Sequence, residues 1–462
     1  MSGTLSSLNT ALSALRYNRV AMDVASHNIA NVATEGYNRR RVDGESMGAP
    51  VVPARWSTYE GAGSGVRTSS IVRMNDVLLD NRARTEHSSL SYLQLRATAL
   101  ARMESGVGEP GDSGVSAAMA DFRSSWQDLA NDPGGNAARG QVLARAESLA
   151  GALAAQAANV SAEMTTQRLT LQGSVAEVDT VAKELAATNR AIATAALDGV
   201  DVSDLADTRD VLGLKLAELT GGVGLLQPDG TMNVSVAGVS LVSGSTAGTL
   251  RIATGVTAAG GPDGSPVTFA IDHGATSTTL TADVRGEVGA SADLLNTTLP
   301  AYAAGLGAVA RDLADTVNAT HAAGYDLDGT TGTAFFSYDP ADPAATLTVA
   351  VTARQVAASS LPGGVLDGSN ADVIGTAGSA EASYQRLVNG FGTEVASAQR
   401  LVRTQSLLTT QVDSAREQLS GVNLDEETVA MLTAQRAYEA AARVMSVMDS
   451  VLDTLINRTG IG

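Results

Sequence analysis

The 462-residue chain contains no cysteine, which excludes a disulfide framework, thiol nucleophiles and zinc–thiolate centres. Histidine is scarce too. His27, His87, His273 and His321 have no short spacing to one another, so no metal site is expected. Aromatic residues make up 3% of the chain. Ala, Gly, Ser and Thr dominate instead, which suits close helix-on-helix packing better than a bulky sandwich core. No apolar run reaches the ~18 residues that a transmembrane helix needs. The start, Met1-Ser2-Gly3-Thr4-Leu5, lacks a basic n-region and an apolar h-region. Taken alone, these absences describe a cytoplasmic protein, unless export follows another route.

Positive charge is also in short supply. The formal net charge is −18, which opposes a nucleic-acid partner because phosphate binding needs a concentrated cationic face. The one dense basic run, Arg39-Arg40-Arg41, is followed by Asp43 and Glu45 and reads as a solvated loop; docking against an acidic neighbour is the alternative. Residues 223–380 hold 14 acidic residues and four arginines, so −10 of the net charge lies there. A like-charged middle fits an outward-facing domain that stays soluble while the ends associate. Hydrophobic content of 44% is enough for packed cores, and the length leaves room for about three domains at ~150 residues each.

The expected fold is α+β. Leu8, Leu15, Met22 and Ile29 recur every seven residues, with Leu5 and Leu12 in the alternate row until Arg19 and Ser26 interrupt it. This predicts an amphipathic helix ending near Asn31, with a turn at Gly36. Residues 76–105 and 115–220 read as helical, broken by Asp132-Pro133-Gly134-Gly135. Strands are expected at 231–236, where Pro228-Asp229-Gly230 supplies the preceding turn, and near 249–254, 266–271, 278–284 and 346–352. Helical pattern resumes at 290–321 and 380–418. At the C-terminal end, Asn423 can cap a helix and Glu426 completes a capping-box arrangement. Ala437, Ala441, Val444, Met448, Val451 and Leu455 then follow a 4-3-4-3-4 spacing, one stripe of a coiled coil, and Arg458 and Gly460 fit its end. An amphipathic helix at each end, with no core nearby in sequence, needs a partner. The nearest candidate is the other terminus.

Those ends also carry motifs. Ser26-His27-Asn28-Ile29-Ala30-Asn31 and Thr34-Glu35-Gly36-Tyr37-Asn38-Arg39 resemble the N-terminal motif of flagellar axial proteins. Ser420-Gly421-Val422-Asn423-Leu424-Asp425-Glu426-Glu427, with Gln435-Arg436-Ala437-Tyr438 and Ala440-Ala441, resembles their C-terminal motif. His27-Asn28, Gly36-Tyr37 and the Ser-Gly-Val-Asn wording are most similar to the family of flagellar hook-associated protein 1, the first hook–filament junction protein. Leu129-Ala130-Asn131-Asp132-Pro133, Asp207-Thr208-Arg209-Asp210, Asp229-Gly230-Thr231 with Gly238 and Leu241-Val242, and Val317-Asn318 with His321 and Gly324 extend the resemblance inward.

The resemblance implies an extracellular stalk that is exported unfolded by the flagellar type III pathway without a cleaved signal peptide. Residues 1–35 and 424–462 would form a coiled-coil inner domain. Residues 36–222, 287–322 and 379–423 would form a helical stalk domain, and 223–286 with 323–378 an outward β-rich domain. The assembly interface is expected at Leu8, Leu15, Met22, Asn28, Ile29, Asn31, Gln435, Tyr438, Val444, Met448, Val451 and Leu455. Implied partners are further copies in a ring, the hook protein, an adjacent hook-associated protein, and an export chaperone on the C-terminal helix. No cofactor, nucleic acid or membrane is expected.

Plainer readings stand beside these. Asn28 and Asn31 could bond a neighbouring subunit or simply end a helix. For Gln435 and Tyr438, core packing is favoured over an intersubunit contact. Gly111-Asp112-Ser113-Gly114 lacks a nearby histidine, so it does not read as a serine-protease site. Gly61-Ala62-Gly63-Ser64-Gly65 follows no strand and opens no helix, which argues against a nucleotide loop. Asp326, Asp328 and Gly329 lack the Glu that a calcium loop needs at its twelfth position, where Ser337 stands. A hook or rod subunit is the alternative within the same class. An enzyme in the inserted β region is the alternative outside it, although those strands show no convergent Ser, His and carboxylate set.

Overall fold

A computed structural model of the chain describes residues 2–48, 63–111, 114–363 and 366–454. The side chain of Leu5 and the residues Gly61, Ala62, Asp112, Ser113, Leu455, Arg458 and Gly460 lie outside the described set. The fold mixes long helices with small antiparallel sheets and has a helix at each end.

Helix α1 (Ser2–Ala30) leads into a hairpin of β1 (Arg40–Met47) and β2 (Gly65–Arg73). Helix α2 (Val77–Val107) starts where Asp76 accepts the Leu78 N–H at 2.7 Å, and it stops at Gly108 in the left-handed conformation. Next come α3 (Val115–Asn131), α4 (Asn136–Leu197) and α5 (Ser203–Thr220). Strands β3 (Val223–Leu226), β4 (Met232–Val236), β5 (Val239–Ser243) and β6 (Thr246–Ala247) form one meander. Strands β7 (Thr249–Thr254), β8 (Thr268–His273) and β9 (Thr276–Thr279) form a second. Helices α6 (Gly286–Asp293) and α7 (Leu299–Ala323) flank a π turn at Leu294–Thr298. Beyond them lie β10 (Phe336–Ser337), α8 (Pro343–Thr346), β11 (Thr348–Val349), α9 (Ser369–Thr376), α10 (Ser379–Ser420) and α11 (Leu424–Asp453).

The spine is α4, whose 62 residues extend about 93 Å at 1.5 Å per residue. Its buried positions Val142, Ala146, Leu149, Leu153, Gln156, Val160, Glu163 and Gln167 alternate steps of four and three, so one stripe faces inward along the helix. Separate cores line up on that stripe. Around Val142–Leu153, α3, α7 and the 335–384 region bury Phe122, Trp126, Phe335, Phe336 and Tyr384. Around Val160, α2 and α10 contribute Leu100, Phe391 and Val395. Around Leu171–Ala186, strands β4 to β8 and α6 pack Val234, Leu241, Ile271 and Val288. The β-rich segments read at 223–286 and 323–378 therefore do not share a core. The second segment is mostly irregular, with strands of only two residues each.

One device recurs where β segments meet helices. Asn189 on α4 accepts the Met232 N–H at 2.9 Å and donates to the Met232 carbonyl at 2.8 Å. Asn296 in the π turn pairs both backbone groups of Val267 in the same way, at 2.7 and 3.0 Å. Asn318 on α7 does so for Phe336, at 2.8 and 2.9 Å. A carboxamide offers an acceptor and donors side by side, so it can replace a missing strand neighbour. Each clamp seats the start of a strand on a helix.

The terminal helices α1 and α11 pack against each other, and α1 also rests on the β1–β2 hairpin. Crowding from both sides selects small residues. Ala11 and Ala25 are buried, whereas Leu8, Leu15, Met22 and Ile29 are half-buried. On α11 the covered positions run through Glu427, Ala434, Ala441 and Met448, with Met431, Met445 and Leu452 beside them. The stripe expected from sequence is thus half corrected. Ala441 and Met448 lie on the seam, but Val444 and Val451 are 45% and 39% exposed on another face. Apolar residues occupy both faces of α11, so spacing alone could not choose between them.

Candidate functional site

Where the terminal pair meets the body, three stretches far apart in sequence converge on one polar joint. They are residues 26–40, 420–427 and 204–210. Its centre is Asn28, 1% exposed on the last turn of α1. The carboxamide nitrogen donates to the Arg40 carbonyl and to Glu427 Oε2, both at 2.9 Å. The carboxamide oxygen accepts the Arg40 N–H at 3.0 Å and the Tyr37 hydroxyl at 2.7 Å. Two donors and two acceptors are all the group has. Asn28 is therefore the fourth backbone clamp, and it ties β1 and α11 to α1 together. Within the chain its hydrogen-bonding capacity is fully used. Asn31 lies on the turn that ends α1, donating back to the His27 carbonyl at 3.0 Å, with no left-handed backbone.

The arginine run is not a solvated loop. Arg39 reaches Glu426 at 2.8 Å and Glu427 at 2.6 Å, and its backbone N–H donates to the Ser420 carbonyl at 2.8 Å. Arg40 is 7% exposed. It bonds Asp204, lies 3.6 Å from Asp207 and stacks 5.3 Å from the Tyr37 ring centre. Only Arg41 projects outward, paired with Asp43. The charges continue inward: Asp207 accepts from Asn38 at 2.6 Å and from Arg73 at 2.6 Å, and Arg73 also bonds Asp210 at 2.8 Å. Asp210 takes a further bond from Arg209, 2.7 Å away. Burial opposes the Arg73 charge, but Asp210 and Asp207 together more than offset it and raise its pKa. Burial, helped by nearby carboxylates, pushes the Tyr37 hydroxyl up to about 12, so it remains a donor at neutral pH.

Gly36 lets this turn close. Its φ is +75°, and a Cβ there would sit 2.2 Å from Val211 Cγ2, so both conformation and space favour glycine. Asn423 caps α11 as expected, accepting from Asp425 at 3.0 Å and Glu426 at 3.4 Å. The Glu426 side chain, however, goes to Arg39 and not back to the cap. Gln435 is exposed and bonds Glu439 on its own helix, and Tyr438 is 36% exposed. The core-packing expectation is therefore corrected for Gln435, whereas Tyr438 falls in the row of Met431, Met445 and Leu452 that flanks the α1 seam.

The other histidines serve structure. His321 is fully buried; it donates from Nδ1 to the Thr333 carbonyl at 2.6 Å and accepts the Ala357 N–H at 2.9 Å. His87 bridges helices, with Nδ1 3.1 Å from Glu218 and Nε2 3.0 Å from Asp413. Asp326 accepts the N–H groups of Asp328 and Thr330, each at 2.9 Å, which makes a turn. The joint is a dense set of internal bonds, with Arg40 Nε and Asp207 Oδ2 as its unbonded buried atoms, suited to holding one orientation under load.

The three stretches that meet here coincide with matches to known proteins. Residues 100–336 match the model of the flagellar hook-associated protein FlgK helical domain. The chain belongs to the FlgK family. Residues 8–38 match the flagella basal body rod protein model, and 416–458 match the C-terminal model of the FlgEFG rod proteins. These two models thus supply the α1 and α11 sides of the joint, while Asp204–Asp210 come from the FlgK domain. Flagellar hook-associated protein 1 of Bacillus subtilis is 27% identical over 507 aligned residues, covering the whole of both chains. That of Escherichia coli is 24% identical, covering 97% of this chain and 99% of its own. The solved flagellar hook junction protein FlgK from Burkholderia pseudomallei superposes with a TM-score of 0.50 at 25% identity, over 56% of this chain and 47% of its own. As a member of the FlgK family, the chain is a structural junction protein of the flagellum, and its relatives are flagellar structural proteins. Among the described residues no helix is long and apolar enough to cross a membrane.

Proposed function

We propose that the chain is a mechanical coupler between hook and filament, with the terminal pair as its assembly module and the Asn28 joint as the link that carries torque into the body. The observation that carries this reading is the second apolar face of α11, opposite the one covered by α1. A helix apolar on two faces needs two partners. In the assembly the pair would extend as a coiled coil within an axial tube, using Leu8, Leu15, Met22, Ile29, Val444, Met448, Val451 and Leu455. Residues 1–35 and 424–462 would form this inner domain. Residues 36–222, 287–322 and 379–423 would form the stalk, and 223–286 with 323–378 the outward part. Copies would close into a ring between the hook protein and the next hook-associated protein. Before that, the chain would pass unfolded through the flagellar type III channel to the cell exterior, with a chaperone holding α11 beforehand. No enzymatic step is part of this proposal.

Removal of residues 1–30 or 424–462 is expected to leave a folded central fragment that cannot attach filaments to hooks. Electron microscopy of cells lacking the protein should show complete hooks without filaments. Loss of the hooks themselves would point to a rod or hook subunit instead.

A further inference from the structure

We infer that the seam between α1 and α11 is an oxidant-labile site, at which peroxide converts methionines to sulfoxides and thereby opens the terminal pair. From Glu427 to Leu452 the seam side of α11 advances in alternating steps of four and three, the spacing of a coiled coil. Met431, Met445 and Met448 occupy three of those eight positions, and Ala434 and Ala441 occupy two more. Alanine adds little volume, so the methionines supply much of the apolar surface that α11 offers to α1. Met431 marks the direction: the Ser26 hydroxyl of α1 donates to its Sδ at 3.8 Å. Met22 stands one turn before Ser26 on α1. All four of these methionines are half-buried. Met103, Met119 and Met232 in the body, by contrast, are 5%, 2% and 1% exposed. The seam sulfurs are thus open to a small oxidant, while those of the cores are shielded.

The thioether sulfur attacks one oxygen of hydrogen peroxide. The S–O bond forms as the O–O bond breaks, and sulfur gives up two electrons. The departing hydroxide takes the proton left on the new oxygen and leaves as water. The product keeps the length of the side chain but carries a strong dipole where a soft apolar group packed. Burying that dipole without a donor opposes closure of the seam. A large core would hold through its other side chains. Here Tyr438 and Leu452 are the only other large apolar seam residues of α11 among the described residues. Leucine would fill the same positions without this reactivity, so the use of methionine is what makes the seam chemically sensitive. The chemistry belongs to the isolated chain; only its effect on filament attachment rests on the reading of the terminal pair as an assembly module.

Absence of cysteine leaves methionine as the main target of peroxide, which makes the test direct. The purified full chain is treated with hydrogen peroxide, sulfoxides are located by mass spectrometry, and trypsin then reports on the pairing at Arg436 and Arg443 of α11. Sulfoxide is expected at the four seam methionines before Met103, Met119 and Met232, with cleavage at those arginines rising ~10-fold. Methionine sulfoxide reductase should reverse both changes. A variant carrying Met22→Leu, Met431→Leu, Met445→Leu and Met448→Leu should show no rise, although Met47, Met74 and Met164, half-buried elsewhere, can still oxidise. Seam sulfoxides with unchanged cleavage would overturn the inference, as would an equal rise in the leucine variant. Should that variant misfold, repair of the unaltered chain decides, and cleavage that stays high after the reductase would overturn it too. In cells, peroxide during filament growth should lower filament attachment for the unaltered chain and spare the leucine variant. If the oxidised pair opens in the isolated chain while attachment stays unchanged, the seam chemistry stands and the assembly-module reading fails instead.

Discussion

Around Trp126 the chain buries phenylalanines, a tyrosine and a neutral histidine against α4, whereas around Asn28 it buries arginines, carboxylates and two carboxamides. The first region gathers three of the five phenylalanines and one of the two tryptophans in the whole chain. Apolar burial is strong but weakly directional, so it fixes that this end of the body is compact. A dense set of charge-assisted bonds adds less net stability, yet it tolerates few geometries. The body needs cohesion, and the joint needs one angle. Each receives the kind of force that supplies it.

The largest test of this contrast is Trp126→Ala, expected to destabilise the body by ~3–5 kcal/mol. Chemical denaturation followed by circular dichroism should show it, while protease resistance at the joint stays unchanged. Asn28→Ala should act the other way round. It leaves the Arg40 backbone groups and the Glu427 carboxylate short of partners, at ~1–3 kcal/mol for each buried group. The loss should be local: trypsin should cut faster at Arg39–Arg41, with little change in the main unfolding transition. Equal movement of both readouts would mean that joint and body unfold as one unit.

The smallest effect is a pH dependence with opposite signs. Burial lowers the His321 pKa, so its neutral form contributes stability that is complete above ~6.5 and lost as pH falls toward the folded value. For His87, the Glu218 hydrogen bond leads the causes that raise the pKa, joined by Asp413 and opposed by burial. Its contribution is complete below ~6.5 and lost as pH rises through the folded value. These two groups together place a stability maximum near pH ~6.5. In His87→Gln the alkaline-side decline should vanish from melting curves and the acid-side decline remain; an unchanged alkaline slope would refute the bridge.

Much of the helical framework was legible because local signals suffice for it. Asn423 as a cap, the stop after Ala30 and the Asp132–Gly135 break all act over a few residues. The break at 198–202 was missed although Asp198-Gly199 signals a turn, and Gly199 indeed has φ +67°. The β1–β2 hairpin was also missed. Its strands are polar and largely exposed, so they lack the apolar alternation that marks a half-buried strand. Among the clamps, the resemblance picked out Asn28 and Asn318 but not Asn189 or Asn296. An asparagine within a helix looks like any other until its strand partner is in place.

The sequence by itself determined that both ends are helices in need of partners and which family the motifs resemble. Tertiary structure alone decided which face of α11 meets α1, and it turned Arg39 and Arg40 from apparent surface charges into the ties of a buried joint. The reason is range. Helix caps and periodicity act within a turn or two, but the joint couples Asn28 to Glu427 across 399 residues and Asn38 to Asp207 across 169. Only the folded chain brings those groups within hydrogen-bonding distance.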